Sequence, residues 1–304
     1  MRKVKIRVRI LISILILIAG VIIFNIYNNN QISVITEEVK IENLPDEFNG
    51  YTILQIADLH SKSFGRNQKK LTKIINKQNF DMIAICGDMQ GSDEKYENFI
   101  ALLKGIKNNE NVFYTPGNYG PYPFKNYTGF TNFIGGKFYE EYRDLTEVGE
   151  QLKDLNVKFL NEAYEIKRGD SSLWISELLY KEQLSEMTNT EYEDNAVNIA
   201  ITHYPIDSIF TEDKYIEEMP QYDLVLAGHY HGGQWRIPFI GALYIPDLNS
   251  PVYFPDQDRV SGLTEACGIR QYVTRGLGAS GSREIMRFRL FNRPEINLIK
   301  LVKA

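Results

Sequence analysis

The chain has 304 residues, of which 43% are hydrophobic and 24% charged, and a net charge of −5. That balance excludes an intrinsically disordered chain and argues against a protein that coats nucleic acid. Two cysteines, Cys86 and Cys267, are too few for a disulfide framework.

The charge is unevenly placed. Arg2, Lys3, Lys5, Arg7 and Arg9 form a basic head with no acid among them, so the rest of the chain is more acidic than the net value. The run ILISILILIAGVIIFNIY over 10–27 follows, and only Ser13 and Asn25 in it are polar. As a helix it would span about 27 Å, close to the thickness of a bilayer core. This predicts a single-pass anchor in the cell membrane, its N-terminus held in the cytoplasm by the positive flank and the body of the chain extracytoplasmic. A cleaved signal peptide is the rival reading, but its apolar region is about 7–15 residues long and ends in a small-x-small site. Here the run is longer, and no Ala-x-Ala precedes Asn28-Asn29-Asn30. A buried core helix would not carry so charged a flank.

Residues 28–50 read as a tether leading into a first strand, ISVITEEVKI. Short apolar runs then recur at 52–57, 81–86, 111–115, 197–202 and 223–227, each rich in Ile, Val, Leu or Thr, as buried strands are. Between the first three lie helical patterns. Gln68–Gln78 puts Leu71, Ile74 and Ile75 on one face; Asp93–Lys107 does the same with Tyr96, Phe99, Ile100, Leu103 and Ile106, and Asp93 is the expected N-cap. An amphipathic helix is expected near Thr146–Leu155, with strands around Val157–Lys167, Ser172–Leu178, Gln271–Arg275 and Glu295–Val302. Strand–helix–strand alternation predicts an α/β layer fold.

The residues that follow the strands carry the chemistry. They are Asp58-Leu59-His60, Gly87-Asp88, Gly117-Asn118, His203 and Gly228-His229-Tyr230-His231. The chain has 4 histidines, and all of them stand at such a strand end. In open α/β sheets the carboxyl ends of strands form the site. A single histidine is more often a satisfied core or surface residue, but the whole set beside Asp58, Asp88 and Asn118 points to a metal centre. Nitrogen and oxygen donors without thiolate suit Mn, Fe or Zn. So many ligands are too many for one ion and suit two sharing a bridging carboxylate, the arrangement used to hydrolyse phosphoesters.

These blocks resemble the signature of the calcineurin-like metallophosphoesterases. GHYHGGQWRIPFIGALY, QYVTRGLGASG and RLFNRPEINLIKL are similar to its bacterial membrane-associated, phosphodiesterase-like branch, so the likeness spans nearly all of 50–302. The resemblance implies a four-layer α-β-β-α sandwich of two mixed sheets over 31–304, after a basic head and transmembrane anchor over 1–30. It also implies that Asp58, His60 and His231 hold one divalent ion, that Asn118, His203 and His229 hold the other, and that Asp88 bridges them, with Mn the foremost choice.

Two positions depart from the family pattern. Where it has Gly-Asn-His followed by an acid, this chain has Gly117-Asn118-Tyr119-Gly120, and the last acid of Gly-Asp-x-x-Asp is Gly91. The missing histidine is the group thought to contact the phosphate and protonate the leaving oxygen, a service worth about 10²–10⁴-fold. Tyr119 stands in its place as the candidate catalytic residue, and a phenol is a poor acid near neutral pH. The expected function is a membrane-anchored phosphoesterase acting on a phosphodiester or pyrophosphate, in a phosphorylated small molecule or a lipid or cell-wall precursor. Its activity would be weakened or made selective for the leaving group. The alternative is a metal-binding protein that has lost catalysis and kept recognition.

Three further features bear on substrate. Lys62, Arg66, Lys69, Lys70, Lys73 and Lys77 read as a solvated helix face, or more sharply as a phosphate-attracting rim. Arg270, Arg275, Arg283, Arg287, Arg289 and Arg293 are candidates for an anionic contact. The aromatic segment Tyr119–Tyr142, which contains the sequon Asn126-Tyr127-Thr128, reads as a packed surface loop or a substrate lid.

Overall fold

Strands such as Met-Ile-Ala-Ile-Cys and Val-Asn-Ile-Ala-Ile have no polar face, so each sheet they form must be covered on both sides. The computed structural model describes residues 2–125, 144–178, 196–209, 222–246, 251–281 and 287–304. Most of the aromatic segment, the sequon and Arg283 lie outside the described residues. In chain order the elements are α1 (Arg2–Asn29), β1 (Ser33–Ile41), β2 (Thr52–Ile56), α2 (Lys69–Ile75), β3 (Met82–Cys86), α3 (Glu97–Gly105), β4 (Val112–Thr115), α4 (Glu147–Asp154), β5 (Val157–Phe159), β6 (Tyr164–Arg168), β7 (Ser171–Glu177), β8 (Val197–Ile201) and β9 (Leu224–Ala227). Two short hairpins follow, β10 (Arg236–Ile237) with β11 (Gly241–Ala242) and β12 (Tyr244–Ile245) with β13 (Val252–Tyr253). The chain closes with β14 (Gly262–Ala266), β15 (Ile269–Val273) and β16 (Glu295–Lys303).

The strands form two six-stranded mixed sheets, ordered β1-β16-β2-β3-β4-β5 and β14-β15-β9-β8-β7-β6. In the first, β2, β3, β4 and β5 run parallel and β16 is antiparallel to β2; in the second, β7, β8, β9 and β15 run parallel. Strand periodicity divides the side chains between two cores. Met82, Ala84 and Cys86 of β3 meet Val197, Ile199 and Ile201 of β8 between the sheets. Ile83 and Ile85 point the other way, onto Leu71 and Ile75 of α2 and Phe99 and Leu103 of α3. On the outer face of the second sheet Ala200 and Val225 pack with Ile206 and Tyr222. This is the expected α-β-β-α order. Gln55 crosses the central layer, donating to the carbonyls of Ala227 (3.0 Å) and Tyr272 (3.4 Å) in the other sheet.

Two local expectations change. The run read as one strand over 157–167 is split, β5 extending the first sheet beside β4 and β6 starting a hairpin with β7 in the second. Alternation along 157–167 is the same in both sheets, so periodicity does not reveal the turn between them. The third helix begins at Glu97, and Asp93 is not its cap. The Asp93 carboxylate instead accepts a hydrogen bond from Ser61 Oγ at 2.7 Å, tying its loop to the one after β2.

Glu177, at the end of β7, accepts a 2.7 Å bond from the hydroxyl of Thr115 at the end of β4. Burial pushes its carboxyl up to about 7. The unfolded chain ionises this group near its ordinary 4.5, so the folded state is penalised increasingly as pH rises through that window, and fully above it. Glu177→Gln is therefore expected to raise stability by about 1–3 kcal/mol at pH 8 and to change nothing at pH 4. Urea denaturation at the two pH values measures this, and an equal effect at both would contradict it.

Helix α1 contains a stretch, Ile6–Asn29, long and apolar enough to cross a membrane, with mean hydropathy 2.8. Its last turns dock on the segment before β16. Asn25 Oδ1 accepts from the Phe291 amide (2.6 Å), Asn28 Oδ1 from the Arg293 guanidinium (2.9 Å), and Asn29 pairs with both backbone groups of Arg289 (2.7 and 2.9 Å). The terminal carbonyls that a helix leaves unpaired are met by lysines: Lys62 Nζ reaches the Asn29 carbonyl at 2.6 Å and Lys70 that of Asn30. Two of the lysines read as a solvated face thus hold the helix, while Arg66, Lys69, Lys73 and Lys77 are exposed.

Candidate metal centre

The parallel strands β2, β3 and β4 of one sheet and β8 and β9 of the other all point their carboxyl ends to the same end of the sandwich. Each is followed by a tight turn that reverses a polar side chain into the space between the sheets. Asp58, His60, Asp88, His229 and His231 take left-handed backbone conformations, with φ between 45° and 68°. Such strain clusters where a site over-determines the chain. The turns are laced together: the Asp58 amide donates to the Gly87 carbonyl and the His60 amide to the Asp88 carbonyl, both at 3.0 Å. Gly87 and Gly117 are required here. A Cβ on Gly87 would lie 2.6 Å from His203 Nδ1, and one on Gly117 would lie 2.5 Å from Asp88 Oδ1.

All seven side chains expected at the centre converge. His60 Nε2 and His231 Nε2 are 3.1 Å apart, and His231 Nε2 is 3.7 Å from Asp58 Oδ1. On the other side His203 Nε2 lies 3.0 Å from Asn118 Oδ1 and 3.2 Å from His229 Nδ1. Asp88 Oδ2 stands between the two groups, 3.5 Å from His60 Nε2 and 3.3 Å from His203 Nε2. Asp58, His60 and His231 form one potential cation-holding group, and Asp58, Asp88 and His203 another. His203 Nδ1 faces the Cys86 carbonyl at 2.9 Å, a contact that makes it the donor and leaves Nε2 for the centre.

The set fits divalent ions on its own terms. Asp58 Oδ2 is buried and, among the described residues, without a hydrogen-bond partner, a costly state for a carboxylate oxygen unless something else meets it. Burial pushes the Asp58 carboxyl up to about 7. Burial likewise pushes the His60 imidazole down to about 4 and the His229 imidazole to about 3, so both rings are neutral near pH 7, the form that binds metal. His203 is the exception. Burial opposes its charge, but the Asp88 carboxylate outweighs that and lifts it to about 9, so a cation entering here displaces its proton.

Tyr119 stands at the rim. Its amide donates to Asp88 Oδ1 at 2.8 Å, and its ring meets His60 edge-on at 5.1 Å between centroids. A small cleft of about 100 Å³ opens there, lined in part by His60, Asp93, Tyr119 and Arg287. Of the C-terminal arginines that the structure describes, Arg287 alone lines it. Arg270 binds the Lys40 carbonyl, Arg275 lies against Glu295, and Arg293 holds Asn28. Arg289 is wholly buried and donates to the carbonyls of His231 (3.1 Å), Arg275 (2.5 Å) and Gly278 (2.5 Å). These arginines are structural because each meets a backbone or side-chain acceptor within the fold, which charge counting along the chain does not reveal. Tyr204, missed in the sequence, packs its ring against His203 and His229 at 4.9 and 4.6 Å. Its place directly after His203 was the available signal.

The sequence profile of the calcineurin-like phosphoesterases matches residues 51–233. The chain is 25% identical over 276 residues to the uncharacterized metallophosphoesterase YkuE of Bacillus subtilis, covering 86% of this chain and 83% of that protein. It is 33% identical over 111 residues to the phosphodiesterase YaeI of Escherichia coli, 36% of this chain and 34% of that one. A transmembrane protein with a metallophosphoesterase domain from Danio rerio is 23% identical over 305 residues, covering 95% of this chain and 62% of that protein.

Proposed function

Because the chain belongs to the calcineurin-like phosphoesterase family, we propose that it is a membrane-anchored phosphoesterase that uses two divalent ions to hydrolyse a phosphodiester or pyrophosphate. Residues 1–30 are the basic head and anchor, 31–304 the catalytic domain, and the positive head keeps the domain outside the cytoplasm. The observation that carries this reading is the position of Asp88 Oδ2, within 3.5 Å of the ring nitrogens of both His60 and His203. Asp58, His60 and His231 would hold one ion and Asn118, His203 and His229 the other, with Asp88 shared between them. Mn fits the oxygen and nitrogen donors, as do Fe and Zn. Ions bound there supply Lewis acidity toward the phosphoryl oxygens and an activated water.

The protein's own groups do the rest. The Cys86 carbonyl fixes the tautomer of His203, and the Tyr119 amide orients Asp88. Tyr119, whose ring lies against His60, takes the place of the family's histidine as proton donor, and phenols in general are poorer acids near neutral pH than imidazolium. Leaving groups that need no proton, such as a pyrophosphate-linked phosphate, are therefore favoured. The same substitution, with Gly91 in place of an acid, supports a second reading in which the centre binds a phosphorylated ligand without turning it over.

Metal analysis of the purified full-length protein, with turnover of nitrophenyl and alkyl phosphodiesters in added Mn, separates the two. Two ions with turnover are expected. Two ions without turnover of any monoester, diester or pyrophosphate would favour the binding protein, and less than one ion would sink both. In the same assays Tyr119→Phe is expected to lower hydrolysis of the alkyl diester by about 10²-fold and to affect the nitrophenyl ester far less. Equal effects would remove the phenol from proton donation.

A further inference from the structure

A groove of about 810 Å³ runs between α1 and the segment before β16. One of its walls is Val21, Ile22 and Ile26 of the anchor, the other Phe288 and Leu290. Its far end is polar and includes His60, Lys62 and Arg287. An apolar channel and one of the side chains of the metal centre thus share one continuous space.

The level of this groove relative to a bilayer follows from two independent features. The spanning stretch Ile6–Asn29 has 24 residues and is about 36 Å long as a helix, slightly more than a hydrocarbon core. Its polar docking residues Asn25, Asn28 and Asn29 come at the end, so the domain is held at one headgroup layer. Beside that end, against Phe24, lies the β10–β11 hairpin, whose tip exposes Phe239 completely and Ile240 by 56%. Large apolar side chains so placed mark a membrane-contacting surface. The anchor and the hairpin tip both put the face that carries the groove on the bilayer.

We propose that the substrate is a lipid phosphoester. Its phosphate reaches the metal centre past Arg287, and its hydrocarbon tail lies in the groove along α1 without leaving the apolar phase. The proposal rests on the phosphoesterase reading above. A water-soluble phosphoester would find no use for the apolar walls, whereas a lipid's phosphate already sits at the level where His60 opens into the groove. Hydrolysis adds one water across a P–O bond: the water oxygen joins phosphorus, the bond to the leaving oxygen breaks, and that oxygen leaves with a proton or as a stable anion.

The test uses the full chain in nanodiscs with Mn and two diesters that share a nitrophenolate leaving group, octyl 4-nitrophenyl phosphate and ethyl 4-nitrophenyl phosphate. The octyl ester is expected to be preferred by about 10²-fold in kcat/KM, the effect of burying only part of its extra methylenes. Ile22→Trp and Leu290→Trp, which fill the groove from opposite walls, are each expected to cut that preference at least tenfold. Ile16→Trp, further along the anchor, leaves it in place. A wild-type enzyme that hydrolyses both esters equally overturns the proposal. So does a preference that survives both groove substitutions, since partition into the nanodisc then explains it. If neither ester is hydrolysed with two Mn ions bound, the phosphoesterase reading itself fails and the lipid substrate falls with it.

Discussion

Asp88→Ala is expected to leave the protein folded, to reduce bound metal below one ion per chain and to lower phosphodiester turnover by about 10³–10⁵-fold, a loss of several kcal/mol of transition-state stabilisation. Asp88 Oδ2 stands between the two groups, 3.5 Å from His60 Nε2 and 3.3 Å from His203 Nε2. Burial works against its charge, yet the neighbouring His203 holds its carboxyl below the usual range, so it is ionised and ready to bind a cation. Its removal also takes away the group that keeps His203 protonated. Asp88→Asn tests whether charge or shape matters. The carboxamide retains an acceptor for the Tyr119 amide but not the negative charge, and the same loss of metal is expected. Metal content and turnover are measured together with a thermal melt. Two ions retained in Asp88→Ala would show that the centre is not built around this carboxylate.

Arg289→Met is expected to destabilise the fold by about 3–5 kcal/mol, with a matching fall in the denaturation midpoint. Two effects compete. Removing a guanidinium from the interior relieves its desolvation, which burial already registers by pulling its pKa down to about 10. Against that, the carbonyls of Arg275 and Gly278 lose the guanidinium as donor, at roughly 1–3 kcal/mol for each buried group left unpaired, while the His231 carbonyl keeps the Asn292 carboxamide (2.7 Å) and the Gln234 amide (3.2 Å) as donors. The second effect is larger because methionine offers no replacement donor. A second consequence separates this residue from an ordinary core side chain. Arg289 donates to the carbonyl of His231, and its own backbone is paired with Asn29 of α1. Weaker metal binding should therefore accompany the loss of stability. Unchanged metal affinity in a folded Arg289→Met protein would show that the His231 turn is held without it.

The elements that sequence patterns made legible are those whose signal is local. The strand around 81–86 is apolar on both faces because it lies between the second sheet and two helices, and that burial is written in its own residues. The turns after the strands announced themselves because a sharp reversal into a packed space needs glycine, and because His60, His203, His229 and His231 occur nowhere else. The helix expected over Asp93–Lys107 forms only over Glu97–Gly105, and Asp93 does not cap it, since its carboxylate found a competing donor in Ser61. Short polar side chains choose between such local partners by geometry that composition does not contain. Tyr119 was singled out by position alone, and its contact with Asp88 turned out to run through its backbone amide.

The amino-acid order by itself determined the basic head, the apolar helix, the α/β alternation and which polar residues follow which strand, because each depends on neighbours a few positions away. Only the tertiary structure decided that Asn29 would meet Arg289, 260 residues distant, that Lys62 and Lys70 would close the end of α1, and that an apolar groove would join that helix to His60. Such meetings depend on the path of the chain through two sheets, and their energies come from burying and pairing groups whose separation along the sequence carries no trace of the encounter.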